Sequence, residues 1–413
     1  MALKNIFKNF KEKIVEKHYA KMLSGGVPVF SQFGNDIYAS DIVNSCIRSI
    51  STEMGKLQPK HIRTTNGIQT NINSSINRLL KFGPNEFMTT KDFLEKCTWI
   101  YEKKYNCFIY PRYELKDVPG GTTRYYTGFY PLNPTEVDFL EDIEGNLFIK
   151  FYFANGDDYT MPYKDIIHWR KDFSDNDLMG GDEKGNPKTQ DILKVLKTNH
   201  TITEGLEKAV KSSLSVRGIV KINTLLDDEK QEAERAEFER KLSNSQSGIF
   251  PMDLKSDYIP INVTPTIIDK NTLEFVERKI LNHYGISLPI INGDFTDEQY
   301  QAFYEKKLEI NIIGLNQAFS KTLFTDRELD HGNEVIFYGQ KLLFTNTKNK
   351  IAVADILGNR GALTDNQLLE LFGYPPFEGG DTRHMSLNFI NRDIADKYQM
   401  NKFDKSKGVK NDE

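Results

Sequence analysis

The chain has 413 residues, 38% hydrophobic and 12% aromatic, with a formal net charge of −4. So many aromatics exclude a mainly disordered chain, and the near-neutral balance argues against a protein whose chief task is gripping nucleic acid. No run approaches the ~18 consecutive apolar residues of a membrane-spanning helix, and the lysines near the N-terminus precede no secretion-type apolar core. Cys46, Cys97 and Cys107 sit at spacings that suit neither zinc nor a disulfide framework, so they read as reduced core residues of a cytosolic protein.

In chain order, residues 3–22 place Leu3, Ile6, Phe7, Phe10, Ile14 and Met22 on one helical stripe opposite a row of lysines. Docking on a partner subunit or on the body is the simpler reading of that stripe, and a membrane-surface helix is the alternative. Segment 41–57 repeats Ile42, Cys46, Ile50 and Met54 every four residues behind Asp41, a candidate cap, and predicts an amphipathic helix. A second helix is expected near 72–82, stopped by Gly83-Pro84-Asn85, and Thr89 with Asp92 restarts a third through Tyr101. From 107 to 169 the texture changes to short β-branched and aromatic runs around Phe108, Tyr126, Phe151 and Trp169, punctuated by Gly, Asn and Asp. That predicts a mostly antiparallel region of about five or six strands.

After a Gly-rich loop at 180–187, a helix is expected over 189–213. Segment 217–265 reads as a strand at 218–223, a highly charged helix at 227–242 and short strands at 248–250 and 259–263, and another helix spans 271–284. Residues 287–295 read as a loop, with Pro289 and Gly293 flanking an uncharged tip of Ile290, Ile291 and Asn292, followed by Asp294. Thr296 and Gln299 form a capping box that opens the longest helix, to about Phe324. Its packing stripe is Tyr304, Leu308, Ile312, Leu315 and Phe319, and at 1.5 Å per residue it is roughly 40 Å long. A strand pair at 335–344, two short helices over 348–373 (the second opened by Thr364 with Gln367) and a charged tail at 402–413 complete an α+β chain.

No arrangement of residues predicts catalysis. The loop GGDEKGNPKT at 180–189 lacks the terminal Gly-Lys-Ser/Thr of a phosphate loop. Asp172, Ser174, Asn176 and Glu183 match positions of a calcium loop, but Asp177 stands where glycine is required, and a solvated turn is the simpler reading. His168 has no second ligand at a metal spacing and reads as a satisfied core or rim histidine. No cofactor is expected, and the chain is not expected to be an enzyme.

Four segments nevertheless resemble one family, the portal proteins of tailed bacteriophages of the HK97 type: DIVNSCIRSIS at 41–51, LLKFGPNEFMTTKDFLEKC at 79–97, DIIHWR at 165–170, and the stretch 283–319 together with GALTDNQLLELFGYPPFEGGD at 361–381. Departures are Leu369 in place of a frequent Arg, Tyr105-Asn106-Cys107 in place of Gly-Asn, and two extra residues in the turn at 286–289. The resemblance implies a portal fold in which residues 1–40 form an N-terminal arm, 41–189 and 333–346 the wing, and 190–213 with 266–286 the stem. Residues 214–265 would be the clip, 287–295 a tunnel loop, 296–332 the tunnel helix, 347–390 the crown and 391–413 a tail. It implies a ring of twelve copies at one capsid vertex, a channel passing double-stranded DNA without sequence specificity, and no membrane partner. The clip, through Asp227, Asp228, Glu232, Arg235 and Glu239, would dock the terminase large subunit. Head-completion adaptors and the major capsid or scaffold protein are the further partners implied, with assembly in the host cytoplasm and residence in the virion. A phage-associated metal-dependent nuclease is the competing expectation.

Overall fold

The protein is described here from a computed structural model, over residues 40–119, 121–214, 218–222, 232–233, 236, 240, 256–260, 270–339 and 347–384. The helical stripe at 3–22, the strand expected at 248–250 and the tail at 402–413 lie outside the described residues. The chain divides into two compact units, residues 1–188 with 284–413, and residues 189–283.

The larger unit begins with α1 (Asp41–Met54), which buries Val43, Cys46, Ile47, Ile50 and Met54 on one face. Its cap is Ser40, which makes no side-chain capping bond; Asp41 lies inside the first turn, where its charge meets the positive end of the helix dipole. Strands β1 (Gln58–Thr65) and β2 (Ile68–Asn71) form a two-residue hairpin. Asn66 and Gly67, at φ 51° and 78°, supply the left-handed pair that such a turn requires. The sequence reading left this hairpin out. Helix α2 (Ser75–Phe82) is tied to β1 by Asn77, whose amide accepts from His61 N at 2.7 Å and donates to His61 O at 2.8 Å. Helix α3 (Thr90–Lys104) opens on a Thr89–Asp92 capping box and stops at Tyr105, whose φ is 59°.

Six strands follow: β3 (Asn106–Val118), β4 (Gly121–Leu132), β5 (Glu136–Glu141), β6 (Leu147–Tyr152), β7 (Asp158–Pro162) and β8 (Ile167–Arg170). They make two antiparallel three-stranded sheets, ordered β4-β3-β8 and β5-β6-β7. A shared apolar cluster, including Phe108, Tyr130, Phe139, Phe151 and Met161, holds the two sheets together. In the smaller unit, α4 (Gln190–Leu214) precedes an antiparallel pair, β9 (Gly218–Ile222) and β10 (Ser256–Pro260), and α5 (Lys270–Tyr284) leads out of it.

The chain then continues the larger unit. Residues 288–292, expected as a loop, form a short helix, α6 (Leu288–Asn292). The expected unbroken long helix is α7 (Asp297–Phe303), a single wide π-type turn (Tyr304–Leu308) and α8 (Glu309–Leu323). After α9 (Asp326–Asp330), strand β11 (Asn333–Tyr338) joins β1, giving the sheet order β11-β1-β2. Helix α8 packs on both β8 and β11, and so links the sheets of this unit. Helices α10 (Thr347–Asn359) and α11 (Asp365–Leu371) close the described chain, α11 opening on the Thr364–Gln367 capping box.

Candidate functional site

The turn from α5 through α6 to α7 is the segment that the resemblance singles out. Pro289 lies in the first turn of α6, where its missing N–H costs nothing. Gly293, at φ 80°, ends the helix and donates its N–H to Pro289 O at 2.9 Å. Ile290 is buried and α6 packs on α1, whereas Ile291 is half-buried and Asn292, Gly293 and Asp294 are exposed. The apolar tip read from the sequence is therefore one anchoring side chain, Ile290, beside a partly solvated one, Ile291. Tyr300 pins the start of α7 by donating its hydroxyl to Glu53 Oε2 of α1 at 2.7 Å. No Lys or Arg occurs between Lys279 and Lys306, and the acids Asp294, Asp297, Glu298 and Glu305 are all exposed. The segment 280–305 itself therefore offers phosphate groups no cation, and the neighbouring ammonium, Lys56, is paired with Glu53 at 2.6 Å, so counterion release by this segment cannot hold DNA.

Behind the turn lies a buried ionic cluster that the sequence reading missed. Glu102, at the end of α3, is fully buried, and its carboxylate meets Lys171 Nζ at 2.6 Å and Lys307 Nζ at 2.8 Å. Lys171 follows β8 and also lies 4.4 Å over the Tyr105 ring. Lys307 lies within the π-type turn, and its aliphatic stem passes beside Gly285, which has φ 67°. Burial pushes the Glu102 carboxyl upward, but the two ammonium groups win and hold it down at about 2. Glu102 holds Lys171 above its ordinary value against burial, while burial pushes Lys307 below. One carboxylate thus ties together α3, the end of β8 and the wide turn that interrupts the long helix.

The long-helix residues Tyr304, Leu308, Ile312, Leu315 and Phe319 are each buried. Phe319 packs between Phe129 and Phe337, with ring centroids 5.6 and 5.0 Å away. Asp227, Asp228, Arg235 and Glu239 lie outside the described residues; Glu232 is exposed. His168 is a core residue whose ring is fully partnered, meeting Tyr163 Oη at 2.8 Å through Nδ1 and Asn106 Oδ1 at 3.0 Å through Nε2, and burial pushes its pKa well down. The glycine-rich loop docks on Asn106, which donates to Gly180 O and Gly185 O and accepts from Gly180 N. In the 172–183 turn, Asn176 Oδ1 accepts from Leu178 N and Met179 N, so it organises backbone. Among the described residues no three His, Cys, Asp or Glu side chains converge as metal ligands, and no helix is long and apolar enough to cross a membrane. The three cysteines are buried free thiols.

The fold is similar to that of chains in solved particle necks. The neck of an empty gene transfer agent particle, computed with C6 symmetry, aligns with a TM-score of 0.60 and 14% identity over 86% of this chain and 96% of that one. The neck of the native particle, computed with C12 symmetry, aligns with a TM-score of 0.56 and 14% identity over 86% and 97% of the two chains. These likenesses establish the α+β fold class. In sequence, the probable portal proteins of Lactococcus phages p2 and SK1 are each 24% identical over 253 residues, 55% of this chain. The match covers 66% of each relative, just under two thirds of its length. The family model for phage portal proteins matches residues 41–373, and the chain belongs to that family.

Proposed function

We propose that the protein is a structural ring former at one capsid vertex, lining a channel through which double-stranded DNA is packaged and ejected. The family match over residues 41–373 carries this reading. The cation-free turn between α5 and α7 supports it, because a conduit must let phosphate slide past without gripping it. In this reading Ile291, Asn292, Gly293 and Asp294 face the channel as the tunnel loop, while Ile290 anchors it on α1 and Pro289 starts α6. The long helix with its buried stripe is the rigid backing, carried on the wing. Stem (190–213, 266–286), clip (214–265) and crown (347–390) follow the division given above. The clip acids and Arg235 dock the terminase large subunit during packaging and head-completion proteins afterwards, and capsid or scaffold protein surrounds the wing. The ring is built in the host cytoplasm from twelve copies and ends in the virion, with no catalytic chemistry of its own.

Native mass spectrometry with negative-stain imaging of the purified chain tests this. Closed rings of 47.6 kDa subunits with a central hole are the expected result. A chain that stays monomeric both alone and when co-expressed with its capsid and scaffold proteins would overturn it.

A further inference from the structure

A cleft of about 740 Å³ lies in the larger unit between β8, the turn after β7 and α8. We infer that this cleft is a docking groove for an extended, acidic segment of another polypeptide, which adds as a strand to the free edge of β8 and meets Lys164 and Lys321.

Three observations carry this. The first is the edge itself. Strand β8 is the last in the order β4-β3-β8, so one side of it has no strand partner among the described residues. Lys171 N donates to Tyr105 O at 2.8 Å, and the antiparallel register continues through Trp169 opposite Cys107 and Ile167 opposite Ile109. Those residues spend their backbone groups on β3, so the alternate residues, His168 and Arg170, turn their N–H and C=O groups the other way. Ile166 follows the same parity: its outward carbonyl accepts from Thr322 Oγ1 of α8 at 3.4 Å. His168, Trp169 and Arg170 all line the cleft. An unpaired edge in a cleft is a template for strand addition.

The second observation is charge. The cleft's charged side chains are Lys164, Arg170 and Lys321, with no Asp or Glu among its walls. Arg170 is fixed 4.0 Å over the Phe173 ring and donates to Leu178 O, whereas Lys164 and Lys321 are exposed and meet no carboxylate among the described residues. The third is the apolar rim: Phe173 is exposed, with Leu147 and Phe148 half-buried beside it. Gly314 of α8 keeps the floor low, because a Cβ there would stand 3.3 Å from Trp169 Nε1.

The chain's own ends carry the wrong sign for this groove. Residues 1–39 hold Lys4, Lys8, Lys11, Lys13, Lys17 and Lys21 against only Glu12, Glu16 and Asp36, and residues 385–413 are also not acidic on balance. The acidic run at 227–239 is helical where it is described and so is not an extended strand, and the complementary segment belongs to a different protein: four or more residues, roughly 13 Å of strand, with acidic side chains alternating with apolar ones. This goes beyond the ring reading and does not depend on it.

The test uses the full-length chain and two fluorescein-labelled peptides, one alternating glutamate with valine and phenylalanine, the other with lysine replacing glutamate. Only the acidic peptide should bind. The Lys164→Glu/Lys321→Glu variant, altered only at exposed side chains, should bind it roughly tenfold or more weakly. Hydrogen exchange resolved to single amides should slow by about tenfold at His168 and Arg170 on binding, with Ile167 and Trp169 unchanged because their amides are already paired. Absent binding, equal binding of the lysine peptide, unaltered affinity in the variant or unslowed edge amides would each overturn the proposal. So would edge amides already protected without peptide in a concentration-dependent way, since a second copy would then be the occupant.

Discussion

Replacing Glu102 by Gln keeps the shape of the side chain and removes the one negative charge in its cluster. Lys171 and Lys307 are then left as two buried ammonium groups around a neutral amide. The carboxyl is held at about 2 against an ordinary 4.5. At about 1.36 kcal/mol for each pH unit between those values, its ionisation contributes roughly 3 kcal/mol. Removing one partner of a buried ion pair costs about 3–5 kcal/mol, which is the same size. The folded-state value is the depressed one, so this stabilisation is complete above pH 4.5 and is lost as pH falls from there toward 2. Urea unfolding can be read from tryptophan fluorescence, because both tryptophans, Trp99 and Trp169, belong to the larger unit. With a urea slope of about 1–3 kcal/mol/M, Glu102→Gln should lower the midpoint at pH 7 by roughly 1–3 M. The gap to the native chain should shrink by about half or more at pH 3 and close only near pH 2. A midpoint within about 0.3 M of native at pH 7, or a gap that persists unchanged at pH 3, would refute the assignment of Glu102 as the charge that holds the cluster together.

Lys307→Met retains the aliphatic stem and leaves Glu102 paired with Lys171, so its midpoint should fall by less than half as much in the same assay. Leu315 is 1% exposed, and Leu315→Asp should abolish soluble folded protein, measured as loss of the soluble fraction and of the near-ultraviolet dichroism. Ile291→Asp, at a half-buried position, should leave ring assembly intact but reduce packaged DNA, measured as nuclease-protected genome per particle; undiminished packaging would remove α6 from the channel. Asp228→Lys with Glu232→Lys should weaken terminase binding in a pull-down titration, and unchanged binding would move the docking surface off the clip.

Local chemistry was legible wherever a few neighbouring residues decide the structure. Thr89 with Asp92, Thr296 with Gln299 and Thr364 with Gln367 all form the reciprocal caps their spacing announces. The Asn66-Gly67 turn is an equally local signal, and it was overlooked because the strands it joins, rich in Lys, Arg, Thr and Gln, show no apolar alternation. Proline and glycine around Ile290 suggested a loop, although the same pair at the first turn and just past the end of a segment also defines a short helix. The ionic cluster had no sequence signature: Glu102, Lys171 and Lys307 come together only through the tertiary fold, and a lysine beside a buried stripe reads as solvated until its partner is seen. Tyr105 is the instructive exception to the rule that glycine takes a positive φ. Its φ of 59° is a left-handed conformation that favours glycine, and Lys171 lies 4.4 Å over its ring.

The pairing of β1 with β11 also sets a timetable for synthesis. Thr64 and Glu334, which bond across that pair, are 270 residues apart, and a ribosome adding about 5–20 residues per second separates their emergence by roughly 14–54 s. Through most of that interval β1 and α2, which packs on it, exist without β11, and the inner edge of β1 is bare. Glu102 likewise waits for its second counter-ion until residue 307 is made. Lys60 and Arg63 on β1 then act as gatekeepers, disfavouring edge-to-edge association of neighbouring nascent chains until β11 arrives.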